Sequence, residues 1–156
     1  PMDWNPEFSR RARGFASYAA LRELGRLGVQ ELVERSCDCA TELVAGLGQL
    51  RGVTVLRTPI INQGLVSFTD PSGAISNEWN DAVIAAIAAE GTAYFSGTTT
   101  SQGRRAMRIS VSNWQTSHED VVKTVAAVER VLGKMHSEWR SEMRSRETTS
   151  TEVANR

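Results

Sequence analysis

The sequence predicts an α+β fold in which helices pack on one face of a small, mainly antiparallel sheet. The predicted order of elements is helix, helix, strand, strand, helix, strand, strand, helix. Residues 107–112 alternate apolar and polar side chains, which is the period of a strand with one covered face. The last helix carries an apolar stripe at steps of three and four residues, from Val121 to Trp139. Such a sheet leaves its second face half polar and uncovered.

Glycines and helix-start residues divide the N-terminal part of the chain. Asn5 and Pro6 form a typical helix start, and Gly25 and Gly28 predict a break or bend before a second helix that runs to about residue 50. We expect a helical segment at 1–28, a small domain at 29–143 and a disordered tail at 144–156. The tail is predicted from its Ser, Thr, Glu, Arg and Asn content.

Turn and cap residues delimit the remaining helices. Ser76 or Asn77 is the expected N-cap of a helix at about 78–90, and Gly91 is its expected C-cap. Thr116 and Glu119 have the spacing of a capping box and predict the start of the last helix. The predicted strands are 53–56, 65–68, 93–96 and 107–112, with a loop at 97–103 between the last two.

Composition and motifs exclude several classes of function. The net charge is zero, and no basic run with interleaved aromatic residues suggests nucleic-acid binding. Apolar runs are too short to span a membrane. His118 and His136 are interpreted as surface or capping residues, because no metal-ligand spacing joins them and no nucleophile motif accompanies them. We therefore expect no metal site and no complete catalytic set on this chain.

Arg108 is the strongest candidate for a binding residue. It lies in the middle of a predicted strand, on the polar face with Ser110 and Ser112. Its guanidinium is always charged and offers a fork of donors that matches a carboxylate. The alternative is a solvated arginine on an open face. A second candidate, the 97–103 loop, has backbone amides suited to phosphate, but an ordinary hairpin loop is the favoured interpretation.

Several stretches together resemble the C-terminal small domain of the group II pyridoxal-phosphate-dependent amino acid decarboxylases. This family, of fold type I, includes the aromatic-amino-acid, histidine and glutamate decarboxylases. The similar stretches are residues 6–15, 21–28, 62–68 (NQGLVSF), 91–99 and 107–114 (MRISVSNW), in this order. The resemblance covers nearly the whole chain up to about residue 132.

The resemblance implies a role for each candidate residue. Arg108 is expected to bind the substrate carboxylate, and Thr98 to lie near the entrance of the site. Arg10 and Arg11 fall on the linker helix that follows the large domain, and are expected to support contacts between domains and within a homodimer. The complete enzyme is expected to be cytoplasmic, to bind pyridoxal 5′-phosphate and to act on a small amino acid.

The resemblance also implies that this chain alone is inactive. The Schiff-base lysine of the family belongs to the large domain, and the lysines here, Lys123 and Lys134, lie off the apolar stripe of the last helix. Two alternatives stay open. One is a stand-alone, non-catalytic α+β module that binds a small carboxylate ligand. The other is one half of a split enzyme whose cofactor-binding half is a separate polypeptide.

Overall fold

The computed structural model describes the backbone of residues 12–154 and the side chains of residues 12–145. The chain divides into two compact units between Glu34 and Arg35, later along the sequence than the expected boundary at residue 28. Its elements are α1 (Gly14–Gly48), β1 (Val53–Arg57), β2 (Gln63–Phe68), α2 (Asn77–Glu90), β3 (Ser96–Thr99), β4 (Arg105–Ser110) and α3 (His118–Ala154).

Gly25 interrupts α1, as the sequence predicted. Its φ of 61° and ψ of −170° are not helical, and a positive φ favours glycine because it has no Cβ. The other predicted break, Gly28, lies within helical backbone. The first unit therefore contains a helix that bends at one glycine.

The second unit contains a four-stranded sheet with the order β1-β2-β4-β3, and every neighbouring pair is antiparallel. The expected α+β class is confirmed. In the register of the two central strands, Val66 lies opposite Met107, and Leu65 lies opposite Arg108. On the other side of β4, Ser96 lies opposite Arg108. Since partners in a ladder share a face, these pairs divide the sheet into a covered and an open side.

The covered face forms the hydrophobic core with the helices. Met107 and Ile109 are fully buried, whereas Arg108 and Ser110 are exposed, so the predicted alternation in β4 is confirmed. The buried core residues of the helices include Leu43, Val44 and Leu47 of α1, Val83 and Ile87 of α2, and Val121, Val128 and Leu132 of α3. The polar residues of β4 are consequently on the face opposite this core.

Caps and one buried amide fix α2 against the sheet. The hydroxyl of Ser76 accepts a hydrogen bond from the backbone N–H of Trp79 at 3.0 Å, which identifies Ser76 as the N-cap. Gly91 ends the helix in the left-handed region with a φ of 89°, as predicted. Asn80 is fully buried, accepts from the N–H of Phe68 at 2.9 Å and donates to its carbonyl at 3.0 Å. This pair of bonds joins α2 to the end of β2.

The third strand begins later than the sequence predicted. We expected a strand at 93–96 followed by a loop at 97–103, but β3 spans Ser96–Thr99 and pairs with β4. Threonine is β-branched and suits a strand, so Thr98 and Thr99 extend the ladder instead of forming the loop. The remaining turn is closed by a hydrogen bond from the N–H of Gly103 to the carbonyl of Thr100 at 2.9 Å. The favoured interpretation as a hairpin loop is confirmed for this shorter turn.

The start and the end of α3 also differ from expectation. Ser117 is the N-cap, one residue after the predicted Thr116, because Ser117 and Asp120 bond reciprocally. The N–H of Ser117 donates to the Asp120 carboxylate at 2.9 Å, and the N–H of Asp120 donates to the Ser117 hydroxyl at 3.4 Å. At the other end, the segment expected as a tail has helical backbone as far as Ala154. Extending an existing helix costs little, because each added residue gains one hydrogen bond.

Candidate functional site

A cavity of about 680 Å³ lies on the open face of the sheet. Residues 57–58 and 60–65, from the end of β1 through the connecting loop into β2, form one side, and residues 98–100 form the other. Arg108 lines the cavity between these two walls. The cavity is therefore built on the face where the sequence placed its candidate binding residue.

Arg108 presents to this cavity a cation that no described residue neutralises. It is exposed, and its neighbours across the sheet are Leu65 on β2 and Ser96 on β3. Among the residues that the structure describes, no carboxylate lies within ion-pair distance of its guanidinium. The strand thus holds the N–H donors of the Arg108 guanidinium in place, and the described part of the chain supplies no anion to accept their hydrogen bonds.

Thr98 lies beside Arg108 on the same face. It pairs with Ala106, two residues before Arg108 on β4, so the two side chains are diagonal neighbours. Both line the cavity, and Thr98 is half-buried. The residue expected to bind the substrate carboxylate and the one expected near the entrance of the site therefore lie close together. The other two candidates, Arg10 and Arg11, lie outside the described residues.

Arg57 is a second cation in the cavity, and the sequence analysis missed it. The ladder between β1 and β2 shifts register between Val55 and Arg57, so Val55 pairs with Val66 but Arg57 pairs with Leu65. This irregularity turns Arg57 toward the open face, since a bulge re-aims the residues that follow it. The strict period of two would have placed Arg57 on the covered face with Val55, so no sequence signal identified it.

The loop between β1 and β2 gives the cavity an apolar rim. Ile60 and Ile61 are 84% and 62% exposed. The loop is nevertheless held to the sheet by Asn62, whose side-chain amide donates to the carbonyl of Val111 at 2.8 Å. The N–H of Val111 donates in return to the carbonyl of Asn62 at 3.0 Å. The rim therefore adds two large apolar side chains to the cavity that the two arginines line.

Neither lysine of the chain fits the role of a covalent anchor for pyridoxal phosphate. Lys123 is 59% exposed and pairs with Glu119 at 2.6 Å. The hydrogen bond from Lys123 to this carboxylate raises the pKa of the Lys123 ammonium, which is the opposite of what an amine nucleophile needs. Lys134 is 77% exposed and lies 3.9 Å from Glu138. No step of a cofactor reaction is therefore assigned to these residues.

The histidines differ in their surroundings. His118 is exposed and contacts Glu42 at 2.6 Å, which agrees with a surface role. His136 was interpreted from the sequence as a surface residue, but in the structure it is half-buried. Its ring stacks on that of Trp79, with the ring centroids 5.8 Å apart. Burial, the largest cause, lowers the pKa of the His136 imidazole. Neither histidine lines the cavity, so neither acts on a ligand bound there.

Two further findings concern only the part of the chain that the structure describes. It contains no group of three or more histidine, cysteine or acidic side chains arranged to hold a metal ion. No helix in that part is long and apolar enough to cross a membrane.

Comparison with solved structures finds this fold within longer chains. TDC of Oryza sativa, with PLP and tryptamine, matches with a TM-score of 0.75 and 17% sequence identity. Tryptophan decarboxylase of Catharanthus roseus, in complex with L-tryptophan, matches with a TM-score of 0.74 and 15% identity. The glutamate decarboxylase domain of diaminobutyrate-pyruvate transaminase and L-2,4-diaminobutyrate decarboxylase from Vibrio parahaemolyticus matches with a TM-score of 0.63 and 14% identity.

The matches cover most of this chain and a minor part of the others. They include 86%, 85% and 76% of this chain, and 29%, 28% and 25% of the respective matched chains. No family model matches the sequence, and no curated protein matches it. At these identities the likeness concerns the fold alone. The chain thus has the fold of the matched part of these decarboxylases, in agreement with the resemblance found in its sequence motifs.

Proposed function

We propose that this chain is the C-terminal portion of a pyridoxal-phosphate-dependent L-amino acid decarboxylase. The single observation that carries the proposal is Arg108, which lines a cavity on the open sheet face and has no ion pair with any residue that the structure describes. The fold shared with longer decarboxylases supports it. In this proposal the reaction is the release of carbon dioxide from an L-amino acid by the complete enzyme.

The contribution of this chain is binding and orientation. Arg108 holds the carboxylate of the amino acid through paired N–H donors, and the strand fixes the direction of that contact. The Thr98 hydroxyl lies diagonally across the ladder, where it can bond a polar group at the cavity entrance. Bound pyridoxal phosphate supplies the electron sink, and its covalent anchor belongs to a part of the enzyme other than the residues described here.

The first unit is proposed to connect this domain to a larger, cofactor-binding one. Its helix exposes large apolar side chains, which suit a contact with another domain. These are Phe15, Tyr18, Leu21 and Leu27. Arg10 and Arg11 are proposed to contribute to the same contact and to a homodimer. We also propose that the complete enzyme acts in the cytoplasm.

Substitution of Arg108 in the longest natural polypeptide that contains this chain tests the proposal. Release of carbon dioxide is measured with a panel of L-amino acids. Arg108→Ala should lower kcat/KM by about a hundredfold, because a charge-assisted bidentate contact to the substrate is lost. Arg108→Lys should recover only part, since a lysine offers no fork of donors. Arg104→Ala, at an exposed arginine that does not line the cavity, is the matched control.

Four outcomes separate this proposal from its alternatives. Unaltered kinetics of Arg108→Ala would remove Arg108 from the site. If immunoblots of source cells show a polypeptide of about this chain's size, decarboxylation would require a partner chain that supplies the Schiff-base lysine. Co-purification of such a partner would then indicate a split enzyme. Calorimetric binding of a carboxylate ligand without decarboxylation would indicate the stand-alone module, which the arginine-lined cavity also supports.

A further inference from the structure

The cavity contains two arginines with an apolar residue between them, and one of these arginines is placed by an irregular strand. Arg57 and Arg108 are the ladder partners of Leu65 on its two sides, so the three form one row across the open face. We propose that the substrate is a dicarboxylic amino acid, with one carboxylate on Arg108 and the side-chain carboxylate on Arg57. This inference rests on the proposed function and names its substrate class.

The spacing of the row suits such a ligand. Adjacent strands lie about 4.8 Å apart, so the backbones of Arg57 and Arg108 are separated by about 10 Å across β2. Both side chains are long and line the same cavity, so their guanidinium groups can approach two carboxylates of one small molecule. Leu65 lies beneath the middle of the row and presents apolar surface to the methylene groups that join the carboxylates.

The charges of the cavity favour two negative groups over one. No acidic side chain is among the described residues that line it. Neither Arg57 nor Arg108 has an ion pair with a described residue, whereas Arg105 and Arg130 pair with Asp81 and Glu90 at 2.7 Å. Bringing two unpaired cations together on one side of a ligand is unfavourable unless anions compensate them.

The apolar rim strengthens this preference. Ile60 and Ile61 line the same cavity and add apolar surface beside a ligand held there. In a less polar environment, each interaction between a guanidinium and a carboxylate gains strength. The same rim also offers an apolar surface to an aromatic side chain. The experiment must therefore distinguish a dicarboxylic substrate from an aromatic one.

The test compares acidic amino acids with their neutral isosteres. Initial rates are measured for the longest natural polypeptide with L-glutamate, L-aspartate, L-glutamine, L-asparagine and L-tryptophan. One of the two acids should have the highest kcat/KM. Arg57→Gln should raise KM for that acid by about tenfold to a hundredfold with kcat altered less, because a charged hydrogen bond contributes at this level. It should change kcat/KM for the matching amide less than threefold, and Arg104→Gln should affect neither substrate.

A binding measurement distinguishes failure of this inference from failure of the proposed function. Calorimetry compares glutarate, a dicarboxylate, with butyrate, which has one carboxylate. Glutarate should bind at least tenfold more tightly than butyrate, and Arg57→Gln should remove that difference while Arg104→Gln preserves it. Suppose that glutarate binds more tightly than butyrate in the way described, but that no amino acid is decarboxylated. That result would support recognition of dicarboxylates and contradict the proposed reaction.

Two results would overturn the inference itself. One is a higher kcat/KM for an amide or for L-tryptophan than for either acid. The other is an equal loss of activity toward the acid and its amide in Arg57→Gln, with butyrate and glutarate weakened alike. That pattern would mean that Arg57 maintains the shape of the loop between β1 and β2 rather than contacting the side-chain carboxylate.

Discussion

Gly64 lies where β2 passes against α1 with no room for a side chain on the covered face. A Cβ at this position would lie 2.6 Å from Cγ2 of Val44 and 3.1 Å from the carbonyl oxygen of Arg57. Gly64 also borders the cavity on the open face. One residue therefore connects the packing of the core with the position of Arg57, so strain at Gly64 should affect both.

Replacement of Gly64 by alanine should destabilise the protein. Overpacking a filled core costs about 1–3 kcal/mol, and urea unfolding followed by circular dichroism measures it. Gly133→Ala is the control, because no atom lies within 4 Å of a Cβ there and alanine favours a helix by about 1 kcal/mol. Adding Val44→Ala to Gly64→Ala should relieve part of the overlap. Equal stability of Gly64→Ala and the unaltered protein would contradict this account of the contact.

The sheet face of Arg108 was predicted from the sequence, whereas that of Arg57 was not. Arg108 lies on a strand with regular alternation, so its face follows from the period of two. Arg57 follows a register shift that depends on how β1 meets β2, and this information is not local. The role of each arginine depends further on which charges the fold brings near it, which alternation does not encode.

At the scale of elements, a charged pair connects α2 with α3. Glu90, the last residue of α2, bonds the guanidinium of Arg130 at 2.7 Å and accepts from the N–H of Thr92 at 2.9 Å. The hydrogen bonds from Thr92, and then the bond from Arg130, lower the pKa of the Glu90 carboxyl from 4.5 to about 2. The ionised form is therefore favoured in the folded protein.

This shift predicts a specific dependence of stability on pH. The folded pKa lies below the unfolded one, so the contribution of Glu90 is present above pH 4.5 and is lost as the pH falls toward about 2. Glu90→Gln should be less stable than the unaltered protein at pH 6, and the difference should shrink as the pH approaches 2. Urea midpoints at several pH values measure the difference. Glu129→Gln is the control, and a gap for Glu90→Gln that stays constant with pH would refute the assignment.

The ends of α2, which have strong local signals, were predicted, whereas the bounds of β3, which depend on pairing, were not. Ser76 and Gly91 delimit α2 through hydrogen bonds and a backbone angle that their residue types favour. By contrast, β3 begins three residues late because its bounds are set by pairing with β4. At the start of α3, the capping box was predicted one residue too early. Ser117 and Asp120 have the same spacing as the predicted Thr116 and Glu119, and they form the reciprocal hydrogen bonds.

At the scale of the whole molecule, the buried core lies entirely in the second unit. Its N-terminal member is Cys39 and its C-terminal member is Leu132, and the partly buried residues that pack on it extend to Met135. All four strands lie within these limits. The stability of the second unit should therefore depend little on the residues that precede Arg35.

A truncated protein that begins at Arg35 tests this division. The truncated protein retains every core residue. It loses helical hydrogen bonds at the new end of α1, and this loss should lower its stability. We expect a cooperative urea transition with an unfolding free energy lower by about 1 kcal/mol, the usual size of a helix-capping effect. Near-ultraviolet circular dichroism should show the same ordered surroundings of the aromatic side chains.

A second truncated protein, beginning at Glu42, is the reference with which the loss of unfolding free energy in the first is compared. It removes Cys39 and Ala40, which are buried, together with the helical turn that carries them. Exposing the apolar surface that these residues cover should cost about 2–5 kcal/mol, so this protein should unfold at much lower urea. If both truncations lose the same stability, the helix before Arg35 is part of the folded core, and the boundary between Glu34 and Arg35 does not separate two independently stable parts.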